Sequence, residues 1–122
     1  MTNRLGDLCD AAQTYMMALH EGDTAQLGEI FLPEAHLYAS IDNEFRCMPI
    51  ADYLELVGSR ESPASQGHSL SGELISIDTS GPASAVAKVA VAVPPTRFVD
   101  LLSFLHVEGR WRIITKVYHI AD

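Results

Sequence analysis

Positive charge is scarce in this chain of 122 residues: 8 Lys and Arg stand against 16 Asp and Glu, a formal net charge of −8. Such a surface repels phosphate backbones and anionic lipid, which argues against nucleic-acid and membrane partners. Cysteine is scarce too. Cys9 and Cys47 allow one disulfide at most, and their apolar neighbours make them read as small buried thiols. The 5 His are scattered, with no HExxH, HxH or CxxC spacing to gather ligands around one ion, so no metal and no cofactor is expected. No apolar run approaches the ~20 residues of a membrane span. The start, MTNRLGDLCDAAQ, lacks the basic and apolar regions of a secretory signal, which leaves a cytoplasmic protein as the expectation.

What is present is a globular composition, 48% hydrophobic and 20% charged, with no repeat and no break that would divide it. Residues 1–122 read as one domain. Leu5, Leu8, Cys9, Ala12, Met16 and Leu19 recur at helical spacing, with Tyr15 at the edge of the stripe. Thr2 or Asn3 is placed to cap the start, and Gly22 to end the helix as a left-handed residue. Asp23 then opens a second helix, with Gln26 completing a reciprocal cap. The Gly-Asp step is therefore first a corner. Leu27, Ile30 and Phe31 form the buried face of this second helix, and Pro33 stops it.

From Ala35 the period changes to two, which suits a strand, with Asp42-Asn43 as a turn and Glu44 to Met48 as a short return strand. Pro49 starts a third helix through Ile50, Tyr53, Leu54 and Val57, closed by Gly58. The segment Ser59 to Ser69, small, polar and broken by Pro63 and Gly67, reads as a long mobile loop. Leu70 to Thr79, Ala83 to Val93, Arg97 to Val107 and Arg110 to Ile120 are strands separated by turn residues. The class is α+β, with three helices on one face of a mostly antiparallel sheet.

Tyr15, Gly22-Asp23, Leu27, Phe31, Pro33, Ala35 and Leu37, in that order and spacing, resemble the opening of the nuclear transport factor 2-like superfamily. The tail DLLSFLHVEGRWRIITKVYHI and the preceding LISIDTSGPASAVAKVAV resemble the narrower "Putative lumazine-binding" group. The resemblance implies a cone-shaped half-barrel, in which a strongly curved, mixed and mostly antiparallel sheet wraps three helices around a cavity. It also implies a homodimer formed through the sheet surface. Ketosteroid isomerase-like members carry a catalytic Tyr at the place of Tyr15, a late-strand carboxylic acid near Asp100, and a general base where this chain has Ala39. Asp42 would serve as base only after a register shift. Loss of a general base removes roughly 10²–10⁴-fold in rate, so the resemblance leans away from that chemistry.

Read from the residues, Tyr15 is either a cavity donor or a core residue with its hydroxyl at the rim. Asp100 sits inside FVDLLSFL, where a carboxylate needs a partner. A two-residue turn at Glu108-Gly109 places it opposite Val117 with His119 diagonal; a three-residue loop places it opposite Lys116. It is then either a structural ion pair or a cavity group. His119 is a solvated strand end or a base. His36 and Tyr38 share a face that is either a cavity wall or the outer surface, and Trp111 reads as a packing anchor that also offers a ring to a ligand. Phe31 and Tyr53 are expected to line an apolar wall.

These residues define three expectations. The first is a cavity that binds a small hydrophobic or planar heterocyclic molecule without catalysis, through Tyr15, Phe31, Tyr38, Tyr53, Asp100 and Trp111. The second is an isomerase, cyclase or dehydratase in which Tyr15, Asp100 and His119 act as acid-base groups. The third is a dimerisation or assembly module.

Overall fold

The computed structural model describes residues 4–121. In chain order the elements are α1 (Arg4–Glu21), α2 (Thr24–Ile30), β1 (Phe31–Ile41), β2 (Glu44–Pro49), α3 (Ile50–Ser59), β3 (Gly72–Ser80), β4 (Ser84–Val93), β5 (Thr96–Val107) and β6 (Arg110–Ile120). The strands form one six-stranded sheet in the order β2-β1-β6-β5-β4-β3. Every neighbouring pair is antiparallel except β1 and β6, which run parallel. This is the expected α+β architecture, a curved mixed sheet that cups three helices. No helix among the described residues is long and apolar enough to cross a membrane.

The first corner forms as its residues dictate. Gly22 takes φ +67°, and the backbone closes α1 with Gly22 N–H donating to Leu19 O and Asp23 N–H donating to Ala18 O. Those two bonds are the Schellman pattern, which satisfies carbonyls that a helix end leaves open. A Cβ at Gly22 would also stand 2.9 Å from Cβ of Ser62, so packing as well as φ calls for glycine. Asp23 caps α2 by accepting from Gln26 N–H at 3.0 Å. The reciprocal half of the cap is absent because the Asp23 N–H is already committed to Ala18. The proposed cap at Thr2 or Asn3 lies outside the described residues.

Several local readings are corrected. Phe31 does not belong to the second helix: it is the C-cap of α2 and the first residue of β1, fully buried in the core. The ladder to β6 slips between Phe31 and His36, a stretch containing Pro33, which has no N–H to donate. Pro33 therefore marks an irregularity in β1 rather than a stop. The segment 59–69 is the long connection expected, but it is tied down: Ala64 N–H donates to His20 O at 3.0 Å and Pro63 is fully buried. Cys47 is exposed on β2 rather than buried, and Cys9 is half-buried; both are free thiols.

The core lies between the sheet's inner face and the helices. Leu8, Ala12, Tyr15, Met16 and Leu19 from α1 and Leu27 from α2 meet Ala87, Val89, Leu102, Phe104 and Ile113 from the sheet.

Candidate functional site

Alternation along β5 sends Asp100, Leu102 and Phe104 inward, all three buried. What faces Asp100 is decided on β6. The turn does have two residues, Glu108 and Gly109, both at positive φ, with Val107 paired to Arg110. Phe104 is accordingly paired with Ile113, but Ser103 pairs with Thr115, leaving Ile114 as an extra residue. This bulge changes the parity of the rest of β6. Asp100 thus stands opposite Tyr118, with Lys116 one step away opposite Leu102. Neither register considered from the sequence is the observed one. Without the bulge, Thr115, Val117 and His119 would have pointed inward; with it, Lys116 and Tyr118 do.

The result is a buried polar cluster. The Tyr15 hydroxyl donates to Asp100 Oδ2 at 2.6 Å, joining α1 to β5. Lys116 Nζ lies 3.7 Å from the same oxygen and donates to the Tyr53 hydroxyl of α3 at 3.2 Å. The ammonium sits among three rings, 5.4 Å from the centre of Tyr15, 4.6 Å from Tyr53 and 5.6 Å from Tyr118. Cation–π attraction of this kind strengthens where water is excluded. Asp100 Oδ1 is buried with no hydrogen-bond partner among the described residues. Phe31 packs edge-on against both Tyr15 and Tyr53, with ring centres 6.0 and 6.4 Å away.

Burial pushes the Tyr15 phenol well above its ordinary value, and the neighbouring Asp100 charge adds to the rise. For Lys116, burial pulls the ammonium downward, but the Tyr53 oxygen, the Asp100 carboxylate and Tyr118 outweigh it, and the group stands above the ordinary lysine value. Both groups bind their protons more tightly folded than unfolded. Their contribution to stability is therefore intact below the unfolded values near pH ~10 and is lost as pH rises through the folded ones. Urea midpoints are expected to change little from this cluster between about pH 7 and 9 and to fall above about pH 10. Tyr15→Phe should flatten that alkaline fall; an equally steep fall in the variant would contradict the assignment to Tyr15.

Next to the cluster is a hollow of about 110 Å³, lined by Leu19, Leu37, Met48, Leu56, Val93 and Phe98, with Tyr53, Lys116, Tyr118 and Arg60 as its polar contributors. Tyr15 and Asp100 are not on its wall; they stand behind Lys116 and fix it. The structure so places Tyr53 at the hollow and Tyr15, Asp100 and Phe31 one layer away. Tyr38 is on the opposite face of the sheet, stacked between His36 and Phe45 at 6.0 and 6.1 Å. Trp111 is buried against His106, ring centres 5.0 Å apart, beside a separate open depression that includes Asp7, Asp10 and Glu29. His119 is exposed and paired across from Val99, on the outer face. It does not join Tyr15 and Asp100. Ala39, at the place of the isomerase base, is buried and carries no proton-accepting group.

Sequence reasoning named Lys116 only as one possible partner for Asp100, and it missed Arg60 and Tyr118. Lys116 and Tyr118 share parity on one strand, which was a usable signal; the bulge at Ile114 hid which face that parity meant. No group of three or more His, Cys, Asp or Glu among the described residues is arranged to hold a metal.

The model of the "Putative lumazine-binding" family matches residues 5–119. An aldolase, FrzH, from a Cladobotryum species is 28% identical over 110 residues, 88% of this chain and 84% of that protein. A nuclear transport factor 2-like protein of unknown function from Silicibacter pomeroyi superposes with a TM-score of 0.80 at 25% identity, covering 98% of this chain and 99% of the other. A ketosteroid isomerase-like protein from Erwinia carotovora atroseptica superposes with a TM-score of 0.77 at 13% identity, covering 100% and 99%, a likeness of fold alone. With its matched residues spanning nearly the whole chain, and with the cone-like helix-and-sheet arrangement described above, the protein belongs to the "Putative lumazine-binding" family of nuclear transport factor 2-like domains.

Proposed function

We propose that this protein binds a small organic molecule in the hollow between α3 and the curved sheet, with a carbonyl or other acceptor oxygen of the ligand docked on Lys116. One observation carries this reading: a buried ammonium, held by Asp100 and Tyr53, stands at an otherwise largely apolar hollow. Few convergent polar groups on an apolar wall are the usual make-up of a ligand site. At about 110 Å³ the hollow is far below the roughly 300–1,000 Å³ that enclose drug-sized ligands. The occupant is accordingly a fragment-sized molecule rather than a fused-ring heterocycle.

Binding is favoured over catalysis because, among the described residues, no carboxylate or imidazole lines the hollow to accept a proton, and Lys116 is held protonated. The similarity to an aldolase supports a second reading. In that reading the ammonium and the Tyr53 hydroxyl stabilise the oxygen of an enolate, and a free-amine role for Lys116 is disfavoured. The two separate by NMR. Small ketones titrated into the protein should shift resonances around Lys116, and Lys116→Met should weaken that binding by roughly tenfold or more, the scale of a charge-assisted hydrogen bond. Deuterium exchange at the ketone α-carbon, faster with protein than with Lys116→Met, marks the enzyme; binding without exchange marks the binding domain. Unchanged binding in Lys116→Met would end both. Pairing of two copies through the outer sheet face, where Tyr38, Phe45, Leu101 and Val117 meet solvent, is a separate part of this reading that light scattering tests.

A further inference from the structure

Among the described residues the hollow has two cationic side chains on its wall, Lys116 and Arg60, and no acidic one, in a chain whose net charge is −8. Lys116 already has its counter-charge in Asp100 at 3.7 Å. Arg60 has none. It follows α3 as that helix's C-cap, half-exposed, and makes no ion pair or side-chain hydrogen bond to any described residue. Elsewhere the described arginines find oxygen partners: Arg110 with Glu29, Arg112 with carbonyls of Gly28, Glu29 and Phe31, Arg46 with Glu44, Arg4 with the Gly81 carbonyl. Arg97 is the other exception, and it lies outside this hollow.

From this we infer that the ligand is a small carboxylic acid, an oxo or hydroxy acid whose carboxylate pairs with Arg60 while its second oxygen accepts from Lys116. This deepens the proposed function and rests on it. A planar guanidinium presents paired donors that match a carboxylate. The Lys116–Asp100 pair is nearly neutral as a unit, so Arg60 supplies the net charge that selects an anion. The aliphatic and aromatic residues that line the same hollow, Leu56, Met48 and Phe98 among others, suit a short carbon chain. Because Arg60 is half-exposed, its pairing is screened by solvent and salt. The expected preference is moderate.

The test uses 2-oxobutanoate and its neutral amide as probes, titrated into the intact protein and followed by NMR. Wild type is expected to bind the acid about tenfold more tightly than the amide, with the difference shrinking at 0.5 M salt. Arg60→Met should lower the acid's affinity much more than the amide's and so close most of the gap, and Arg60→Lys should restore part of it. Lys116→Met should weaken both probes alike, which checks the underlying site. Equal affinity of wild type for acid and amide, or a preference that survives Arg60→Met, overturns the Arg60 inference while the site itself stands. Failure of both probes to bind wild type overturns the site and this inference with it.

Discussion

An Asp100→Ala variant is expected to lose about 3–5 kcal/mol of folding stability, read as a lower urea midpoint at an unchanged slope. The size comes from what is left behind. Removing the carboxylate strands the Lys116 ammonium, 5% exposed and 3.7 Å from Asp100 Oδ2, and also deprives the buried Tyr15 hydroxyl of its acceptor. A domain with the usual 5–15 kcal/mol of stability would be left close to unfolding. The same physics gives the control. Asp100→Leu combined with Lys116→Met removes both charges, and replacing a buried pair with packed apolar groups is often neutral or stabilising. The double variant should therefore recover most of the loss, a coupling that a double-mutant cycle measures directly. If Asp100→Ala costs less than about 1 kcal/mol, on the scale of a solvated surface pair, the cluster is not sealed from water as described. The expected recovery would also mean that stability alone does not account for the pair.

The second large effect is expected at Phe31. Phe31→Ala should cost about 3–5 kcal/mol, the range for deleting a buried aromatic ring. The residue is 1% exposed, and its ring packs edge-on against both Tyr15 and Tyr53 at the junction of α2 and β1. The cavity it leaves would free Tyr53 to swing away from Lys116, so affinity for the small ketones should change together with stability. Phe31→Leu keeps much of the volume and should recover part of both. A loss below about 1 kcal/mol in Phe31→Ala would show that the neighbouring side chains fill the vacated space by themselves, against the close packing usual of protein interiors.

The elements legible from the sequence were those set by local chemistry. The Gly22-Asp23 corner needed only a residue free to adopt positive φ and a side-chain acceptor three positions before an N–H, and it formed as expected. The strands ending at Val93, Val107 and Ile120 followed from residue type and turn composition alone. Phe31 was misassigned because apolar residues at a helix–strand junction fit either period, and Pro33 reads as a terminator in both. Cys47 was misjudged because β2 is an edge strand whose faces are not told apart by a short run.

The candidate site was legible in its demand and not in its solution. A carboxylate within FVDLLSFL required a counter-group whatever the fold, which made Asp100 stand out. That its partners are Tyr15, 85 positions earlier, and Lys116, across a ladder shifted by one residue, rests on pairing geometry no single strand encodes. Sequence by itself determined the class, the corners and the need to neutralise Asp100, because backbone preference and desolvation act on neighbours along the chain. Only the tertiary structure decided that Ile114 bulges, that Lys116 rather than His119 turns inward, and that Arg60 reaches the same hollow. Each of these depends on which segments meet in space, and a single extra residue in a strand reverses the face of every side chain beyond it.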